Sequence, residues 1–162
     1  MISIDPSARI SPLADLEDSV RGTRLIIGAG VVIDAFVKIK PAGGVGDVTI
    51  GAGSVINSGC VIYSGNGVVI GQDVAIAANC TFAPTNHGFA DASRLIKDQG
   101  FLPSRGGIVV EDDVWIGANC VLLDGAILRR GCVIGAGSLV RGEIAAYTIA
   151  YGQPARVHGS RS

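Results

Sequence analysis

The sequence predicts an all-β protein of a particular kind, a parallel β-helix: a triangular prism of six-residue coils with one long loop excursion. Three observations predict it. An aliphatic residue returns every six positions along most of the chain. Four positions after it comes a small or β-branched residue, as at Val31, Val37, Ser54, Val74, Val114, Ala126 and Ser138. Glycine is abundant, 24 of 162 residues, in a chain that is 48% apolar, which fits neither an ordinary globular domain nor a disordered one. A period of six is not a multiple of 3.6, so no helix face forms, but it is a multiple of two, so strand alternation survives. Each unit is too short for a hairpin strand plus its turn. A coil that turns one corner per unit meets both conditions. Three units then close a triangle, and coils stack as parallel strands roughly 4.8 Å apart. The aliphatic position fills the interior, the small position lies where it narrows near a corner, and Gly, Asn and Asp supply the corner backbone.

The elements follow in order. Ile4, Ile10 and Leu16 open the pattern, with Ala8 and Ala14 at the small positions. RGTRLI (21–26) shifts the phase, and Ile27, Ile33 and Ile39 resume it. PAGGVGDVT (41–49) lengthens one corner before Ile50, Ile56 and Ile62, and YSGNGVV (63–69) lengthens another before Ile70, Ile76 and Phe82. Residues 83–107 then form the excursion, after which Val110, Ile116, Leu122, Leu128, Ile134 and Val140 keep the count. A short C-terminal segment, 146–162, ends in HGSRS, which shows no pattern and reads as a disordered tail. One domain, 1–162, accounts for the chain. Cys60, Cys80, Cys120 and Cys132 all fall on the small interior position and read as buried apolar thiols. Cys60 and Cys80 are three units apart, a spacing that stacks them on one face.

The net charge of −1 offers no basic field for nucleic acid. No twenty-residue apolar run is present, so no transmembrane helix is expected. MISIDPSARI has neither the basic nor the apolar region of a signal peptide, and the cysteines form no CxxC pair. The expectation is a reduced, cytoplasmic protein.

The excursion holds the candidate chemistry. A structureless segment this long in a tight domain is usually functional. It carries Asn86, His87, Phe89, Asp91, Arg94, Lys97, Gln99 and Arg105. A loop histidine is by itself more often a solvated side chain. His87, however, sits where the repeat gives way to the loop, so it should project from a rigid coil, and imidazole titrates nearest neutral pH.

VVIGQDVAIAANCTFAPTNHGF, a loop, IVVEDDVWIGANCVLLDGAILRRGCVIGAGSLV and GQPARV together resemble the acetyl-CoA-dependent hexapeptide acyltransferases, among them the maltose, galactoside and xenobiotic acetyltransferases. HGFAD and KDQG are most similar to the bacterial polysaccharide and lipopolysaccharide O-acetyltransferases. The resemblance implies a left-handed β-helix, although the usual crossover rule favours the right hand. It implies that His87 is the catalytic base of a direct acetyl transfer from acetyl-CoA to a sugar hydroxyl, with no acyl-enzyme and no metal. It implies acceptor binding by Asn57 and Asp91, the latter alternatively orienting His87 or simply solvated. Trp115 matches a position beside the cofactor groove, or else packs between subunits. Backbone around Ala118 and Ala136 would meet the pantetheine arm. Arg141 and Arg156 would meet phosphates, or else are plain surface charges. A homotrimer with sites between subunits is the implied assembly. His158 reads as structural or solvated. Two other functions stay open: an N-acetyltransferase acting on a nucleotide-linked amino sugar, and a non-catalytic scaffold. A zinc carbonic anhydrase on this fold needs three histidine ligands, and the chain has two histidines.

Overall fold

A computed structural model describes residues 1–162 and is a left-handed parallel β-helix of short strands. The first face carries Ile2–Ile4, Leu25–Ile27, Val48–Ile50, Val68–Ile70, Ile108–Val110, Ile127–Leu128 and Glu143–Ile144. The second carries Arg9–Ile10, Val32–Ile33, Val55–Ile56, Ala75–Ile76, Trp115–Ile116, Val133–Ile134 and the hairpin Thr148–Gly152 with Ala155–Ser160. The third carries Asp15–Leu16, Lys38–Lys40, Val61–Tyr63, Thr81–Ala83, Val121–Leu123 and Leu139–Val140. Every pairing between coils is parallel and in register, for example Ile56 with Ile76 and Ile76 with Ile116. The register follows from burial, because a slip of one residue would turn each interior aliphatic outward.

The core is the predicted column of aliphatics, with Phe82 the largest of the fully buried side chains. All four cysteines are buried free thiols. Cys60, Cys80 and Cys120 stand above one another at the edge between the second and third faces. Each points its sulfur at a carbonyl of the next coil: Ala77 at 3.1 Å, Gly117 at 3.2 Å and Gly135 at 3.3 Å. Cys132 lies at a different corner, and burial pushes its thiol up to about 11.

The corners have a common geometry. At thirteen corners the third residue after the interior aliphatic takes positive φ, and at eleven of them it is Gly30, Gly53, Gly59, Gly65, Asp73, Asn79, Asp113, Asn119, Gly125, Gly131 or Gly137. These are the residue types that tolerate the left-handed conformation. Phe36 (φ 62°) and Tyr147 (φ 57°) occupy the same position without that tolerance.

The slips in the repeat are not scattered. Residues 17–24, 41–47, 64–67 and 84–107 all connect the third face to the first, so every lengthened unit falls on one edge. The inserted segments stack on each other. A Cβ on Gly44 would collide with Gly65 O, one on Gly46 with Gly67 N, and one on Gly107 with Gly67 O. The edge is therefore a ridge of backbone on backbone that only glycine permits.

The tail departs from expectation. Ala155–Ser160 is a strand, antiparallel to Thr148–Gly152, rather than a disordered end. Arg161 then donates to Asp113 Oδ2 and to Gly131 O, each at 3.0 Å. This closing strand covers the last parallel strand of the second face, which would otherwise present free backbone groups.

Candidate functional site

The loop leaves the third face through buried Pro84 and returns through Gly107 to the first face. Between these points its two limbs pair. Leu102 N donates to Asn86 O at 2.8 Å and Gly88 N to Gly100 O at 2.9 Å, which makes His87 and Phe101 an isolated antiparallel bridge. Their rings lie 4.7 Å apart, tilted by 51°. His87 is exposed, and its backbone is tied on both sides. That is the arrangement a general base needs: an accessible imidazole on an ordered support.

The tip of the loop is organised by Gln99. Its side-chain amide donates to Asp91 O (2.8 Å) and Arg94 O (3.1 Å), and its oxygen accepts from Asp91 N (3.1 Å). The Asp91 carboxylate accepts from Ser93 N at 3.0 Å and Ser93 Oγ at 2.6 Å, and these bonds hold it below the usual carboxylate range. The Asp91 carboxylate thus faces Ser93. The resemblance of HGFAD and KDQG has a local cause: Asp and Gln close the loop through the main chain.

The returning limb is fixed by a residue that sequence reading passed over. Asp124 is 2% exposed. Its carboxylate accepts from Arg105 N at 2.8 Å, Gly107 N at 2.9 Å and Asn66 Nδ2 at 3.2 Å. The signal was present in LLDGAI, where a charged residue directly follows the strand Val121–Leu123, but it read as an ordinary corner.

The other candidates lie elsewhere on the prism. Trp115 projects from the second face, 52% exposed, between Ala75 and Val133. Ala118 and Ala136 lie one coil apart on the edge between the second and third faces, where Gly137 N donates to Ala118 O at 2.8 Å. Asn57 is on that same edge, its amide donating to Ile76 O at 2.7 Å. Arg141 follows the last strand of the third face. With Arg156 it lines a depression of about 220 Å³ at the base of the prism. Glu143 shares that depression, but its carboxylate is held by Arg129 Nε at 2.8 Å. Within one chain, then, His87 and Asp91 belong to the edge between the third and first faces. Asn57, Ala118 and Ala136 belong to the edge between the second and third. The width of the third face separates the two groups. No group of three or more His, Cys, Asp and Glu side chains is placed to hold a metal ion.

Comparison with known proteins adds the following. Residues 107–142 match the family model described as bacterial transferase hexapeptide (six repeats). "Putative lipopolysaccharide biosynthesis O-acetyl transferase WbbJ" of Escherichia coli (strain K12) is 30% identical over 141 residues, 84% of this chain and 68% of that protein. "Probable acetyltransferase Rv3034c" of Mycobacterium tuberculosis (strain ATCC 25618 / H37Rv) is 35% identical over 114 residues, 70% of this chain. This chain spans only 35% of the length of that mycobacterial relative. Among solved structures, a variant of AntD, an N-acyltransferase from Bacillus cereus in complex with dTDP-4-amino-4,6-dideoxyglucose and coenzyme A, superposes with a TM-score of 0.82. That match covers 99% of this chain and 84% of the other at 23% identity, a likeness of fold. The hexapeptide-repeat acetyltransferase VCA0836 from Vibrio cholerae superposes with a TM-score of 0.68 at 25% identity, over 95% of this chain and 70% of its own.

Proposed function

This chain belongs to the hexapeptide-repeat acyltransferase family, and from that membership we propose that it moves the acetyl group of acetyl-CoA to a sugar hydroxyl of a polysaccharide or lipopolysaccharide precursor, with His87 as general base. The observation that carries the reading is the support of His87, an exposed imidazole held on a paired two-limb base against Phe101.

The chemistry follows from that placement. A sugar hydroxyl is a poor nucleophile at neutral pH. His87 accepts its proton as the oxygen attacks the acetyl carbonyl. The new carbon–oxygen bond forms, the carbon–sulfur bond breaks, and the proton ends on the departing thiol. Base assistance of this kind contributes about 10²- to 10⁴-fold. Charge developing on the carbonyl oxygen needs a fixed N–H donor, which a coil corner offers.

The remaining candidates fit a cofactor path. The short side chains at Ala118 and Ala136 leave the backbone of their edge open to a pantetheine arm, and Trp115 flanks it. Arg141 and Arg156 suit phosphates. Asn57 and Asp91 take the acceptor. Because these groups occupy two edges of one prism, the site is completed by a second copy, whose cofactor edge meets the loop of the first. A closed threefold ring places three such sites, and homotrimer is the proposed assembly. In this reading the enzyme works in the cytoplasm, where acetyl-CoA is available.

The test is thiol release from acetyl-CoA with a panel of sugars and nucleotide sugars, together with native mass. His87→Ala should lower turnover about 10²- to 10⁴-fold with the trimer mass retained. Near-normal turnover would remove His87 from the mechanism. Release with amino sugars alone would shift the activity to N-acetyl transfer on a nucleotide-linked acceptor.

A further inference from the structure

The edge between the third and first faces has an interior side as well as its outer ridge. Ser64 and Asp124 hold equivalent places on it, each two residues after a third-face aliphatic, Ile62 and Leu122. Both are buried, Ser64 completely. Their polar atoms are treated differently. The Asp124 carboxylate meets the N–H groups of the returning loop. The backbone of Ser64 is paired, its N–H donating to Lys40 O at 3.0 Å and its carbonyl accepting from Gly67 N at 2.6 Å, but its hydroxyl meets no donor or acceptor of the chain. A second hydroxyl on this edge is in the same condition. Thr23 is 5% exposed and its N–H donates to Ser19 Oγ at 3.2 Å, while its Oγ1 is unpartnered. No other buried side-chain oxygen or nitrogen is left over.

The two hydroxyls line one cavity. It lies among Leu25, Ile39 and Val48, beside the lengthened corners 17–24 and 41–47, and leaves about 10 Å³ open to the centre of a water molecule. That is the space of a single water site. A gap walled by aliphatics alone stays dry, whereas a buried hydroxyl without a partner is costly. Two hydroxyls on one gap of this size supply the two polar partners that a buried water needs. Each can donate or accept, so one water can satisfy both.

We propose that Thr23 Oγ1 and Ser64 Oγ bind one buried water, which ties the insert 17–24 to the insert 64–67 through the interior of the prism. The site stands apart from the proposed transfer chemistry, yet it lies at the root of the ridge that carries the long loop. Ser64 opens the insert in which Gly67 O accepts from Ile108 N at 3.0 Å, where the loop rejoins the first face.

Two measurements test it. A crystal structure at a resolution that shows ordered water should place one peak within hydrogen-bond distance of both oxygens, about 2.7–2.8 Å from each. In solution, Thr23→Val and Ser64→Ala should each lower the urea midpoint, because each removes one partner of the water and leaves the other hydroxyl underserved. The double variant, with both partners apolar, should lose clearly less than the sum of the two singles. A well-ordered edge with no peak in the cavity, or a peak that touches only one hydroxyl, would overturn the bridge. Strictly additive losses in the double variant would overturn it as well. Thiol release from acetyl-CoA by the wild type is a separate readout, so neither result bears on the transferase reading.

Discussion

At the scale of single residues, two of the left-handed corners carry neither Gly, Asn nor Asp, and they are informative. Gly, Asn and Asp take the left-handed position almost throughout, and Phe36 takes it with φ 62° while 68% exposed. Its ring has little packing to lose, and its backbone carries the penalty of the left-handed region, about 1–2 kcal/mol for an ordinary residue. Phe36→Asn should therefore stabilise the protein by up to about 1 kcal/mol, read as a higher midpoint in urea. His87 is the opposite case, a residue whose surroundings serve its exposure. The ring of Phe101 supports one side, and the pairing of Asn86 and Gly88 with the opposite limb fixes its backbone. The histidine was visible in the sequence because it stands where the six-residue count stops. Phe101 was not, because its role depends on a pairing between limbs that no local pattern encodes.

At the scale of elements, the coils were legible and the loop was not. Strand positions follow from where aliphatics recur, and the same rule placed all four cysteines inside. Asp124 escaped that reading because its partners come from two separate inserts, Arg105 and Gly107 on the returning limb of the long loop and Asn66 on the insert 64–67. Removing it leaves buried donors unpaired, at a cost of about 1–3 kcal/mol each. Asp124→Ala should lower the melting temperature and speed proteolytic cleavage within residues 84–107, as read by mass spectrometry of the fragments. The glycine ridge was also hidden, since each slip in the count looked like a separate small loop. Gly46→Ala forces a side chain into the backbone of Gly67, and overpacking of this kind costs about 1–3 kcal/mol. A matched change at Gly30, where a Cβ meets nothing within 4 Å but φ is +66°, separates backbone strain from collision in the same denaturation series.

At the scale of the whole molecule, the prism is held by its column and trimmed by charge. Arg129 bridges successive coils, donating to Glu111 Oε1 and Glu143 Oε1 at 2.8 Å each. These bonds hold both glutamates below the ordinary carboxylate range. A carboxylate with a depressed folded value binds fewer protons than its unfolded counterpart, so its stabilisation is present at neutral pH and is lost as pH falls. The loss should begin near pH 4–5 and grow below it. Each pair is partly exposed, so each contributes little, and added salt should flatten the trend. Urea midpoints at pH 7, 5 and 3.5, with and without 1 M salt, would show it. The proposed trimer has a physical ground in the placement of the candidate groups on two edges of one prism. The glycine ridge has one more consequence. A stack in which extra length enters along a single edge can change that edge through drift in loop length while the count on the other two stays intact. Variation is thereby confined to the side that bears the histidine. Under the proposed function, descendants of such a chain would acquire new acceptors by lengthening, trimming or exchanging one stretch, and inherit the donor side unchanged.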